Sequence, residues 1–121
     1  MTAQAALLAF FGQFATTYAD DNVPDDAAYP YITVETRFGA FDDGDVPLVV
    51  NVWHRTDSDK ACNDLVRYIS ASIGYGGAAV TCSDGWLWVK RGTPFAVAFV
   101  DPDDDAIKRR RININVEFIT Y

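Results

Sequence analysis

His54 is the only histidine in the chain, so any general base or triad built on imidazole must use it. It ends a strand-like run between Trp53 and Arg55, an ordinary setting for a structural histidine. Cys62 follows eight positions later, on the side of a helical pattern that reads as buried. A nucleophilic thiol needs exposure, a lowered pKa and a nearby base, so the pattern speaks against a Cys–His pair. "DPDDD" sets Asp101, Asp103 and Asp105 at alternate positions, as a calcium loop does. Ala106, however, stands where the sharp-turn glycine belongs, and Ile112 where the bidentate glutamate belongs. Paired acids can hydrolyse glycosides, yet these clusters lie in loop-like sequence without a cleft signature. No Gly-x-Ser-x-Gly elbow, phosphate-cradling glycine loop or dinucleotide fingerprint occurs, and "GYGGAA" follows a helix instead of linking a strand to one. No catalytic, cofactor-binding or metal-ligating residue is assigned, and the chain is expected not to be an enzyme.

The remaining chemistry is charge. "DDDAIKRRRININVEF", residues 103–118, sets three acids, then four bases, then an alternating run. Strand geometry sends Lys108 and Arg110 to the face of Ile112, Ile114, Val116 and Phe118, and sends Arg109 and Arg111 to the face of Asn113, Asn115 and Glu117. The bases therefore form no single flat patch. A long strand is expected to leave the core at Lys108 and Arg110 and project from the sheet as a hairpin. Adjacent acidic and basic patches suit the heterologous contacts that close a ring of identical subunits. Asp103, Asp104, Asp105, Lys108, Arg109, Arg110 and Arg111 are accordingly the candidate subunit-contact residues. The alternative is that these charges pair across their own hairpin, at ~0–1 kcal/mol per exposed pair. Trp86 and Trp88 should share one strand face, either packed on the sheet or, if exposed, as an aromatic docking anchor.

The elements that position these residues are legible from periodicity. Leu7, Phe10, Phe11, Phe14 and Tyr18 recur at helical spacing and predict a helix from about Thr2 to Tyr18. "ADDNVPDDAAYP" breaks that pattern with acids and prolines. "YITVETRF" and "VPLVVNVWHR" predict a long antiparallel hairpin across "DDGD". Thr56 is placed to cap a second helix over about 57–73, whose Ala61, Cys62, Leu65, Val66, Ile69 and Ile73 are expected to face inward. "GYGG" ends it. "AAVTC" and "WLWVKR" join through "SDG", and "FAVAFVD" and "IKRRRININVEFIT" add two more strands. The expectation is an α+β fold: two helices on a mainly antiparallel sheet of about six strands, in the order α-β-β-α-β-β-β-β.

At 121 residues the chain is most simply one domain, 1–121. Seventeen acids outweigh ten bases for a net charge of -7, and four of those bases sit at 108–111. Such a surface repels a nucleic-acid backbone at long range, which argues against duplex binding as the main role. Two cysteines, Cys62 and Cys82, have neither zinc-knuckle spacing nor the density of a disulfide scaffold, and read as reduced, buried thiols of a cytosolic product. "MTAQAALLAFFGQF" is apolar but lacks a basic leader, and no stretch reaches membrane-spanning length, so neither export nor a membrane partner is expected.

In their order, "YPYITVET", "VNVWHRTDSDKACNDLVRYISASIG", "WLWVKRGTPFA" and "DPDDDAIKRRRININVEFITY" resemble the tail terminator, or tail-completion, proteins of tailed bacteriophages and prophages. The likeness spans about Tyr29 to Tyr121, and the order of the segments carries it, since none is diagnostic alone. The "AAVTCSDGWLW" hairpin is a departure that matches no specific role. The resemblance implies a non-enzymatic virion protein without cofactor that forms a ring, commonly hexameric, at the end of the tail tube. Its implied partners are further copies of itself, the tail tube protein and the head–tail connector or neck proteins. Genomic DNA would pass through the lumen without specific binding. The implied location is the virion tail or neck, and the bacterial host cytoplasm during assembly. A different class is a monomeric binding module or inhibitor using the aromatic hairpin 78–99, or a small hydrolase using Asp and His54.

Overall fold

The computed structural model describes residues 2–35, 44–83 and 85–120. The Thr2 hydroxyl caps the first helix, accepting from the Ala5 amide at 3.1 Å. Helix α1 (Ala3–Gly12) buries Ala6, Leu7 and Phe11. It stops well short of the expected Tyr18, because Gly12 weakens the helix and the β-branched pair Thr16–Thr17 favours extended backbone. Tyr18 instead belongs to a strand, β1 (Thr16–Ala19), which the sequence reading missed.

Strand β2 (Tyr31–Val34) pairs parallel with β1 and antiparallel with β3 (Val46–Arg55). The rest of the expected first hairpin, residues 36–43, lies outside the described residues. Helix α2 (Asp59–Ile73) is capped by Ser58, whose hydroxyl accepts from the Lys60 amide. Thr56, the expected cap, instead accepts from the Ser58 amide and shapes the approach. Gly74 at φ 77 ends the helix, and Gly77 at φ 89 turns the chain into β4 (Ala78–Cys82). A side chain at Gly77 would also collide with the Trp88 indole, 2.5 Å from its Nε1. Asp84 of the expected "SDG" turn lies outside the described residues, but Cys82 and Gly85 pair across it.

"WLWVKR" and "FAVAFVD" are not two strands. They fall in one strand, β5 (Gly85–Val100), which pairs antiparallel with β6 (Ile107–Thr120). The ladder slips between Arg91, opposite Ile114, and Ala96, opposite Ile112. Five steps along β5 thus match two along β6, and the odd surplus of three inverts which side chains face the core. Leu87 and Val89 point inward before the slip, whereas Ala96 and Ala98 share the face of Ile112 and Arg110 after it. The break in alternation is what read as a strand boundary. Gly92 is required here, since a Cβ would lie 2.8 Å from the Asn113 carbonyl oxygen.

The sheet order is β1-β2-β3-β6-β5-β4, and among the described residues β1–β2 is the only parallel pair. Two helices and six mainly antiparallel strands make the α+β fold expected. Their order, α-β-β-β-α-β-β-β, differs because β1 was missed and β5 had been divided. Inward side chains of β3 (Val46, Leu48, Val50, Val52) and β6 (Ile112, Ile114, Val116) form one apolar cluster with α1, α2, β2 and β5. The outward side chains of β3 and β6 lie on the other face.

Candidate functional site

The basic run lies in the middle of the sheet. Strand β6 pairs with β3 along Ile107–Val116 and with β5 along Lys108–Thr120, so the expected projecting hairpin does not exist. The sequence could not show that β3 runs beside the bases along their whole length. Among the described residues, three of the four bases have contacts within the subunit. Arg110 is 7% exposed on the core face; its Nε donates to Asn63 Oδ1 at 3.2 Å and its Nη2 reaches Asp59 Oδ1 at 3.2 Å. Both partners lie on α2, so this arginine ties helix to sheet. Arg109, on the opposite face, sits 4.4 Å from the Phe99 ring centre and 5.5 Å from that of Trp53. Lys108 Nζ donates to the Asp105 carbonyl at 3.0 Å, and Arg111 is exposed on the face of Arg109.

The acids serve the β5–β6 turn. Asp101 Oδ1 accepts from the Asp103 amide at 2.8 Å and Asp104 Oδ1 from the Ala106 amide at 3.0 Å. Asp104 also pairs with Arg55 at 2.8 Å, and the Thr56 amide donates to the Ala106 carbonyl at 2.7 Å. The turn is thereby fastened to the end of β3, while Asp103 and Asp105 remain exposed. No ion pair joins Asp103, Asp104 or Asp105 to Lys108, Arg109, Arg110 or Arg111 among the described residues. Within the subunit, Asp104 and Arg110 find their side-chain partners in Arg55, Asp59 and Asn63, which the sequence reading did not pair with them.

On the outward face the register sets Thr16, Tyr31, Trp53, Arg109 and Phe99 side by side, one from each of five strands. Tyr31 stacks on Trp53 (6.0 Å, 16°) and meets Tyr18 edge-on at 5.9 Å. Trp53 Nε1 donates to Thr33 Oγ1 at 3.1 Å. Burial, then the neighbouring Tyr29 and Tyr18, raises the Tyr31 phenol above its ordinary pKa. The row ends at an open margin: β4 pairs with Gly85–Val89, and among the described residues no strand is paired to the outer side of β5 from Phe95 to Val100. Val97, Phe99 and Val100 are 37%, 39% and 53% exposed there. The run "GTPFAVAFV" at 92–100 is uncharged, but so are the longer runs 1–19 and 68–83, so absence of charge alone did not mark this margin in the sequence.

Trp86 and Trp88 share the outward face, as expected, and both are half-buried. Trp88 Nε1 donates to the Gly76 carbonyl at 2.7 Å, and Lys90 lies 4.4 Å from the ring centre while also pairing with Asp45 and, at 3.6 Å, with Glu117. Those contacts raise the Lys90 pKa, the hydrogen bond to Asp45 contributing most. Trp88 is thus packed within the subunit.

His54 and Cys62 both lie buried on the core side near Arg110. Burial, with the Arg110 charge adding to it, pushes the His54 pKa down; burial pushes that of the Cys62 thiol up. A thiol kept protonated and 0% exposed is a poor nucleophile. Cys82 is likewise buried and unpaired in any disulfide. Among the described residues no three His, Cys, Asp or Glu side chains cluster to hold a metal, and no helix is long and apolar enough to cross a membrane. Compared with family models, curated proteins and solved structures, the chain matches none.

Proposed function

We propose that the protein is a structural subunit of a tailed-phage or prophage virion, a tail terminator or closely related head–tail joining protein. It would form a ring, hexameric by the resemblance, that caps the tail tube and meets the tube protein below and the neck above. The observation that carries this reading is the exposed apolar margin of β5, in which Val97, Phe99 and Val100 line a strand edge that is unpaired among the described residues. Exposed apolar surface at an open edge marks a place where another chain is bound. The order of segments, which resembles that of tail-completion proteins, supplies the context. The ring would act by geometry, holding tube and neck in register, while an acidic lumen let DNA slide past.

The test is electron microscopy of the purified protein and of tail tubes from particles that contain it. Rings, free or seated on the tube end, are expected. A protein that stays monomeric at high concentration and never occupies the tube end would overturn the proposal.

A further inference from the structure

We infer that the free edge of β5, Phe95–Val100, pairs antiparallel with β1, Thr16–Ala19, of a neighbouring copy, so that one sheet continues into the next. This names the contact behind the ring proposed above, and its head-to-tail sense rests on that reading.

Four features of the subunit converge on it. β5 over this stretch and β1 are margins on opposite sides of the sheet, and among the described residues each has a strand on one side only. A heterologous contact needs two such different surfaces on one chain. Their directions also agree: β1 is parallel to β2, and three reversals separate β2 from β5 through β3 and β6. β1 therefore runs opposite to β5, and rotation about an axis along the strands brings the two margins together as antiparallel neighbours.

The rows of side chains match as well. One outward row reads Tyr18, Thr33, Asn51, Arg111, Val97, and the next reads Thr16, Tyr31, Trp53, Arg109, Phe99. Continued without shear, they set Tyr18 beside Val97 and Thr16 beside Phe99 of the neighbour. On the helix side the same register sets Thr17 beside Ala98 and Ala19 beside Ala96, small residues that let two edges approach. Charge agrees with that sense. The turn after β1 holds exposed Asp20 and Asp21 beyond Ala19, on the side of the Phe95 end of the β5 margin, where exposed Arg67 lines the surface with Phe95 and Ala96. Pairing satisfies the outward amides and carbonyls of both edges and covers Val97, Phe99 and Val100.

Two experiments test it. Ala98→Lys combined with Val100→Lys places charge on exposed positions; the melting curve should be preserved while the assembled species is lost on sedimentation. For direct contact, Thr17→Cys and Ala98→Cys proteins are mixed under oxidation, since directly opposed positions bring Cβ atoms to about 5 Å, close to disulfide reach. Cys62 and Cys82 are buried, which leaves the introduced thiols to react. A disulfide in the mixture, and in neither protein alone, is expected. Rings that persist in the lysine variant without forming the mixed disulfide overturn the edge contact and leave the ring reading standing. Ala98→Cys protein cross-linking to itself indicates two-fold pairing of β5 and overturns the head-to-tail contact. A monomer that neither cross-links nor seats on tubes overturns both.

Discussion

His54 shows how a residue suited to catalysis can be fixed as structure. Its Nδ1 is buried without a hydrogen-bond partner, and burial beside Arg110 holds its pKa below the ordinary value. The unfolded chain therefore binds this proton at higher pH than the folded one. The neutral imidazole's contribution is fully present above the unfolded value of about 6.5 and is lost as pH falls through that value toward the folded one. Thermal melts between pH 7.5 and 5 should show a steeper loss for the wild type than for His54→Leu. The leucine variant, freed of an orphaned polar nitrogen, should lie within about 1 kcal/mol of wild type at pH 7.5. Parallel pH profiles would remove His54 from the account. The isolated position of His54 in the sequence already argued for this role, because no partner residue stood at catalytic spacing. The identity of its neighbour, Arg110, was hidden, because that contact exists only once β3 and β6 are adjacent.

At the scale of elements, Arg110 joins β6 to α2 through Asn63 and Asp59. Arg110→Ala should destabilise the fold by roughly 1–3 kcal/mol in urea titration, since it strips a buried fork of its hydrogen bonds and its apolar stem. Arg110→Met, which keeps much of the stem, should recover part of that loss. Asp59 is 66% exposed, so Asp59→Asn should cost no more than about 0.5 kcal/mol. Equal losses for alanine and methionine would mean that the stem contributes nothing. Long alternating runs made β3 and β6 readable, and the apolar stripe of α2 made its buried side readable. Other elements were obscured by competing signals. Phe14 and Tyr18 fell in phase with the helix before them, so the switch to β1 was masked. The slip after Arg91 interrupted alternation in β5, which made one strand look like two.

For the whole molecule, β6 is a central strand, and four positive charges are consequently shared between its two faces. Net charge -7 with the bases held this way predicts that the protein does not retard duplex DNA at ~0.15 M salt in a gel-shift assay. Retardation at that salt would sink the non-sticking lumen proposed above. The sequence placed the bases on alternate faces correctly, and it did not reveal the apolar edge of β5. An edge is a property of what fails to pair, and local sequence says nothing about which strands lie alongside. The slip in β5 has one more consequence. It acts as a slack length between two fixed ladders: directly paired residues share a face, so the pairing of Ala96 with Ile112 holds Ala96 and Ala98 inward however many residues are looped out before them. Removing one residue from 92–95 would shorten the bulge without exchanging Val97 and Phe99 with Ala96 and Ala98 between the faces. Register with β6, more than the length of the bulge, is what keeps the apolar margin on the outer face.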